Sequence, residues 1–425
     1  MAELVQRYLD QIRAEHADDG DGALADYIPE LATVDPDRFG LSLSLADGYI
    51  YESGDAAVEF TIQSVSKPFT YALALEHIGA DAVDAKIGVE PSGEAFNEIS
   101  VDERTKIPKN PMINAGAITA ASLVPGTGVD DRFERILEFY SACAGRELSV
   151  DEDVYASEKA TGARNRAIAY MLQSFGVLDG DPDRILDVYF RQCSITVTST
   201  DLARMAATLA RGGVDPGHGR RLMHPAVVQR TLSVMVTCGM YDAAGDWVSA
   251  VGLPAKSGVG GGIAAVLPGQ LGIGVYSPLL DEKGHSVRGV RVCRSLSESL
   301  GLHFLSVPRE SRSTIRASYD VESGVRVYEL HGDLLFAGAE RVLRTLEREC
   351  VDFDVAILEI SRVDDIDDAA RRMLAGMRES LRRLDKDGYI VDPDAAMADA
   401  EVTVHVFATL DEALAAAAQL RASDG

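Results

Sequence analysis

From residue 5 onward apolar and charged positions recur at helical spacing, and the run closes in a Gly/Asp turn over 18–21. Next comes Ala25-Asp26-Tyr27-Ile28-Pro29-Glu30-Leu31, a short segment that sets Tyr27 before a proline, either in the core or at a surface. Residues 41–51 alternate apolar with small polar side chains, the period of a half-buried strand, and with 59–62 they predict a hairpin that feeds a helix. That helix is expected to start near Ser64 and run to His77, since Pro68 is tolerated in a first turn. Residues 81–104 are irregular and acidic. The stretch Pro108-Lys109-Asn110-Pro111-Met112-Ile113-Asn114-Ala115-Gly116-Ala117 reads as a fixed turn, in which Asn114 is a turn former or a ligand contact, composition favouring the former. Helical spacing returns over 132–144, 165–175, 182–193 and 199–211, so the middle of the chain is expected to be mainly α. Beyond 237 the pattern becomes loop, strand, tight turn and strand, with an alternating run over 263–278.

A further shift falls near residue 308. Residues 309–318 are polar, and beyond them a strand and turn over 324–339, a helix to Cys350, a strand over 355–360 and a helix from about Asp368 give a β-α-β-α order. The expected organisation is a first domain over 1–308, a linker over 309–319 and a small α/β domain over 320–425. A chain of 425 residues with 46% hydrophobic and 25% charged residues has room for such domains and for a large core.

Charge narrows the choice of partners. With 41 Lys+Arg against 67 Asp+Glu the formal net charge is -26, which repels phosphate backbones and anionic bilayers, so neither nucleic acid nor a membrane surface is expected as a partner. The amino terminus has no apolar signal core and the apolar stretches are broken by Gly, Pro or charge, which points to the cytoplasm. Five cysteines without a C-x-x-C argue against a disulfide framework and a zinc site, and eight histidines include no H-E-x-x-H, so no metal or other cofactor is called for.

The chemical candidates begin with Gln63-Ser64-Val65-Ser66-Lys67-Pro68, which holds the only Ser-x-x-Lys in the chain. Residues three apart share a helix face, so Ser64 and Lys67 form a nucleophile beside a possible base, with helix capping as the plainer alternative. Such a lysine works only when burial or a second cation keeps it neutral. Glu158 and Asn165 lie seven apart, two turns on one face of a continuous helix, although Gly162 between them is a point where that helix can break. The plain alternative for Glu158 is a solvated surface carboxylate. Tyr189 near a helix end is a core aromatic or a ligand-bonding phenol. In Lys256-Ser257-Gly258-Val259-Gly260-Gly261-Gly262 the glycine spacing is not that of a phosphate loop, and bare backbone suits N–H groups aimed at a reacting oxygen. Lys256 on an edge strand near Lys67 would supply the second cation.

Ser-x-x-Lys early and Lys-Ser-Gly late is the order of the serine penicillin-recognising fold, whose Ser-Asp-Asn element is absent. Gln-Ser-x-x-Lys-Pro, Asn-Pro-Met-Ile-Asn-Ala-Gly-Ala, Ser-Glu then Arg-Asn, Tyr-Phe-x-Gln-Cys-Ser, Cys-Gly-Met-Tyr-Asp and Pro-Ala-Lys-Ser-Gly-Val-x-Gly-Gly-Ile, in that order, resemble the serine-dependent glutaminase family over about 20–305. The 280–289 stretch resembles that family's C-terminal signature. The resemblance implies an α+β, β-lactamase-like fold: an antiparallel sheet with helices, a helical subdomain, and a site where they meet. It implies that Ser64 attacks the side-chain amide of L-glutamine, that Lys67 takes its proton, and that the N–H groups of Ser64 and Val259 hold the oxyanion. Ammonia leaves, water cleaves the ester, and Tyr241 relays protons. By the same resemblance Tyr27, Gln63, Asn114, Glu158, Asn165 and Tyr189 bind the amino acid, and the protein is a homo-oligomer.

The tail resembles a STAS domain, with a regulatory or scaffolding role and a protein partner implied. Where many such domains carry a phosphorylatable Ser or Thr, this chain has Ile366-Asp367-Asp368-Ala369-Ala370, so a phosphorylation switch is not expected, and Asp368 reads as a helix cap rather than a phosphoserine mimic. Two other readings compete: a β-lactam-recognising serine hydrolase, and an interaction protein whose hydrolase domain is vestigial.

Overall fold

The computed structural model describes residues 2–92, 101–305, 314–322, 324–334, 336–366, 368–397 and 405–423. The chain forms two units, Met1–Ser306 and Val307–Gly425.

In the first unit, strands β1 (Gly40–Leu45) and β2 (Ile50–Gly54) form the expected hairpin. Residues 59–62 do not join it. Instead β3 (Phe60–Thr61) pairs antiparallel with β4 (Thr196–Val197), far along the chain. Alternation marks a strand but not its partner, and the Phe60 ring finds its place stacked on Tyr276 at 4.1 Å. Strands β5 (Ala255–Ser257), β6 (Gly262–Leu267) and β7 (Leu271–Tyr276) complete a five-stranded antiparallel sheet in the order β2-β1-β7-β6-β5, which puts Lys256 on an edge strand as expected.

Both faces of this sheet are covered, so β6 and β7 are buried throughout. On one face lies the helix Ser199–Ala210, started by a capping box in which Thr198 and Asp201 exchange side-chain and backbone hydrogen bonds. It can approach β7 because Gly274 has no side chain: an added Cβ would lie 1.9 Å from the Ser199 carbonyl oxygen. The other face packs Leu9, Ile12, Trp247, Val292 and Leu296 against Leu41, Ile263 and Ile273. The second layer is helical: Asn114–Leu123, Val129–Ala144, Glu152–Thr161, Ala163–Ser174 and Pro182–Cys193 share one core with the helix Lys67–Ile78. This is the α+β architecture expected from the sequence.

Three local expectations need correction. Asn114 does not sit in the turn after Pro108 but opens a helix whose next seven residues are all buried, a composition without the amphipathic stripe that periodicity detects. Glu158 and Asn165 lie on separate helices, since the chain breaks at Gly162. The region before Lys256 is not loop alone, for the helix Pro225–Cys238 and the short helix Ala244–Ala250 precede the strand.

The second unit holds β8 (Ile315–Glu322), β9 (Val325–Leu330), β10 (Gly332–Leu334), β11 (Val355–Glu359), β12 (Val363–Ile366), β13 (Asp387–Val391) and β14 (His405–Phe407). Its main sheet has the order β14-β13-β11-β9-β8, parallel except for β8, which runs antiparallel to β9, and β10 pairs with β12. The helices Phe336–Glu349 and Asp368–Ala375 contribute to a core on one side. Leu410–Ser423 packs on a second cluster built from Val325, Val327, Val355 and Ile357. The range read as linker, 309–319, therefore contains the first residues of β8, whose outward polar side chains disguised it; the preceding 306–313 lie outside the described residues. The backbone at Asp368 begins a helix, but the proposed capping by its side chain, and Asp367, lie outside the described residues. No helix among the described residues is long and apolar enough to cross a membrane.

Candidate active site

Ser64 sits in a 3₁₀ turn, Gln63–Ser66, and the α-helix begins only at Lys67, three residues later than expected. The turn is strained at its first residue, Gln63, with φ 47°. Buried polar side chains hold it. Ser66 Oγ donates to the Gln63 carbonyl at 2.6 Å, Gln192 Nε2 donates to Ser66 Oγ at 2.9 Å, and the Tyr140 hydroxyl donates to the Ser66 carbonyl at 2.7 Å.

This junction buries Lys67 completely. Its Nζ donates to Asn114 Oδ1 at 2.7 Å and to the Tyr241 hydroxyl at 3.2 Å. Burial disfavours the ammonium and lowers its pKa to about 7. A neutral amine that spends two N–H groups on Asn114 and Tyr241 keeps its lone pair. The Tyr241 hydroxyl is in turn hydrogen-bonded to Ser64, and burial pushes its pKa up, so the phenol stays protonated. Tyr241 also has a positive φ, 51°.

Lys256 is equally buried, with Nζ 3.9 Å from the centre of the Tyr241 ring, while Lys67 Nζ lies 5.4 Å from the same ring. Around this ring the two amines disfavour each other's charge, so each helps to keep its neighbour from being protonated. Burial lowers both, Lys67 to about 7 and Lys256 well below the ordinary lysine range, with the Lys67–Lys256 repulsion acting second. Two ammonium groups do not coexist around one buried ring.

A cleft of about 320 Å³ opens in front of this cluster, lined by Tyr27, Gln63, Ser64, Asn114, Glu158, Asn165, Tyr189 and Val259. Glu158 is 6% exposed and has no ion-pair partner among the described residues. Burial raises its pKa, against hydrogen bonds from Tyr27 and Gln63 that favour the anion. The Tyr27 hydroxyl donates to Glu158 Oε1 at 2.6 Å although the residue as a whole is 44% exposed. Asn114 Nδ2 donates to Asn165 Oδ1 at 3.0 Å, so one hydrogen-bonded chain runs from Lys67 through Asn114 to Asn165. Breaking the helix at Gly162 does not separate Glu158 from Asn165, since both reach the cleft.

The main chain supplies the remaining wall. The turn after β5 is closed by Gly258 N–H to the Gly262 carbonyl at 2.9 Å and Gly261 N–H to the Gly258 carbonyl at 3.0 Å. A Cβ on Gly258 would lie 3.3 Å from Ser64 N and 3.1 Å from the Ile62 carbonyl oxygen, so glycine lets the Gly258-Val259 backbone close on the turn that carries Ser64. Among the described residues neither the Ser64 nor the Val259 N–H donates to another backbone group outside the regular elements.

Sequence reasoning missed Thr161, Arg164 and Cys193 as cleft residues. A signal existed for two of them. Cys193 is four residues beyond Tyr189, hence on its helix face, and Arg164 adjoins Asn165. The Cys193 thiol is pushed up to about 12 by burial and stays neutral.

Residues 22–305 match the family model described as Glutaminase, and residues 316–413 match that of the STAS domain. The chain belongs to the glutaminase family and carries a STAS domain. It is 49% identical over 390 residues to Glutaminase 2 of Bradyrhizobium diazoefficiens, covering 87% of this chain and 62% of that protein's length. It is 43% identical over 400 residues to the glutaminase of Corynebacterium glutamicum, covering 93% and 96%. Among solved structures, Mglu superposes with a TM-score of 0.84 at 44% identity over 92% of this chain and 98% of that one. Mglu in its glutamate form gives 0.83 at 41% over the same shares.

Proposed function

We propose that this chain hydrolyses L-glutamine to L-glutamate and ammonia through a glutamyl ester on Ser64. The observation that carries the reading is Lys67, buried beside the only Ser-x-x-Lys serine and bonded to both Asn114 and the Tyr241 hydroxyl that contacts Ser64. Neutral Lys67 accepts the Ser64 proton as Oγ attacks the amide carbon, and the N–H groups of Ser64 and Val259 take the developing oxyanion. The proton passes, with Tyr241 as relay, to the departing nitrogen, and ammonia leaves. Water then attacks the ester with the same groups acting in reverse.

The binding set fits a free amino acid. Glu158, a buried carboxylate with no ion-pair partner among the described residues, receives the α-ammonium, and Tyr27, Gln63, Asn114, Asn165 and Tyr189 orient the carboxylate and side chain with neutral groups. Mglu, whose likeness covers most of this chain, has been solved in a glutamate form, which supports the same product here. We assign catalysis to 1–308 and a regulatory or scaffolding role, through a protein partner, to the STAS tail, in a cytoplasmic homo-oligomer.

Ammonia release from L-glutamine beside L-asparagine, D-glutamine and a cephalosporin tests the assignment. Selective turnover of L-glutamine supports it, and cephalosporin hydrolysis with no glutamine turnover would overturn it. A pH dependence follows from Lys67. The group must be neutral to act as base, so kcat/KM is expected to rise with pH through about 7 and level off above it. A profile that falls across that range would remove Lys67 from the role.

A further inference from the structure

The 280–289 stretch carries a histidine that the mechanism above leaves unused. We propose that His285 is a positioning residue for the Ser64, Lys67 and Tyr241 cluster, clamping the turn that carries Tyr241 to the edge strand that carries Lys256. The proposal rests on the glutaminase reading and deepens it.

His285 is 2% exposed. Its Nδ1 lies 2.7 Å from Ser257 Oγ, a buried hydroxyl on the residue that follows Lys256 in β5. Its ring lies parallel to the Tyr241 ring, with planes 13° apart and centroids 6.2 Å apart, and it also faces the main chain of Met240, the residue before Tyr241. One imidazole therefore touches the neighbours of two separate segments, which meet again where Lys256 Nζ sits 3.9 Å from the Tyr241 ring centre. A residue serving only as filler would be apolar and avoid burying two polar ring nitrogens; this ring instead bonds Ser257 and interacts with the Met240 main chain.

The backbone around His285 is itself fixed. Asp281 Oδ1 accepts from the N–H groups of Lys283 and His285, each at 2.9 Å, and the Asp281 N–H donates to the His285 carbonyl at 2.8 Å. Ser286 Oγ donates to the Ser277 carbonyl at 2.7 Å, tying the next residue to the end of β7. The ring is thus delivered from a rigid loop.

Tyr241 needs such support. Its φ of 51° is a conformation that a bulky residue keeps only when its surroundings hold it, and its hydroxyl must stay between Ser64 and Lys67. The charged and titratable groups around the imidazole are Lys256 on β5, Tyr241 and Asp242 in their turn, and Asp281 in the loop, with Lys67 beyond the Tyr241 ring. Burial and Lys256 together keep His285 neutral, with its pKa lowered to about 4, so it adds no further cation beside the lysines.

The test uses the full chain and three substitutions, His285→Leu, His285→Asn and Ser257→Ala. His285→Leu keeps an apolar volume and loses the hydrogen bond and the stacked ring. It is expected to lower kcat for glutamine roughly tenfold while KM stays within about twofold, because Glu158 and its partners are untouched. His285→Asn restores a polar group at the position of Nδ1 and is expected to recover most of that loss. Ser257→Ala removes the other end of the hydrogen bond, and the double variant with His285→Leu is expected to be slower than His285→Leu by less than Ser257→Ala is slower than the parent. An unchanged kcat in His285→Leu beside a parent that turns over would overturn this proposal alone. So would losses that multiply in the double variant, or a fall in kcat matched by a rise in KM and a lowered Tm. A parent that releases no ammonia overturns the functional reading, and this proposal with it.

Discussion

Lys67→Met is expected to reduce kcat for glutamine by roughly 10³-fold, the scale of losing a general base, with a much smaller change in KM. Methionine matches the lysine stem in length and suits a site with no exposure, so the variant should fold. Its structural cost is confined to Asn114 Oδ1 and the Tyr241 hydroxyl, which lose a donor, about 1–3 kcal/mol for a buried acceptor left unpaired. Removing an amine that burial already holds at a lowered pKa offsets part of that. Ammonia release and a thermal melt on the same protein separate the two effects. A kcat within tenfold of the parent, at a similar Tm, would mean that another group takes the Ser64 proton.

Glu158→Gln is expected to raise KM for glutamine about 100-fold, or about 2.7 kcal/mol, with a lesser effect on kcat. The amide oxygen still accepts from the Tyr27 hydroxyl, so the cleft keeps its shape and loses only the charge proposed to receive the α-ammonium. Stability should move the opposite way. A carboxyl whose pKa is raised in the folded state weakens folding at pH values above its unfolded pKa, where folding must bury the anion, and this penalty disappears in the amide. At neutral pH Glu158→Gln is therefore expected to melt no lower than the parent while binding substrate far less well. An unchanged KM would place the ammonium elsewhere.

Much of this site was legible because its chemistry is local in sequence. Ser64 and Lys67 are three residues apart, and the Lys256–Gly262 segment announces both an edge strand and a bare turn. Where the cues were long-range, they failed. Nothing in 59–62 reveals that Phe60 and Thr61 pair with Val197 and Thr196. Asn114 heads a helix of small, uniformly buried residues, which lacks the polar face that would have marked it. That both lysines are fully buried around the Tyr241 ring is likewise something spacing does not encode. Conversely, the break at Gly162 defeated the argument that Glu158 and Asn165 share one helix face, yet both still line the cleft.

The central claim is that Ser64 is the nucleophile in glutamine hydrolysis. It is tested most directly by ammonia release at saturating L-glutamine from the Ser64→Ala protein beside the parent, with a melt to confirm that both are folded. Steady release by the parent and background release by the folded Ser64→Ala protein is the expected result. Release by Ser64→Ala at a rate near that of the parent would contradict it.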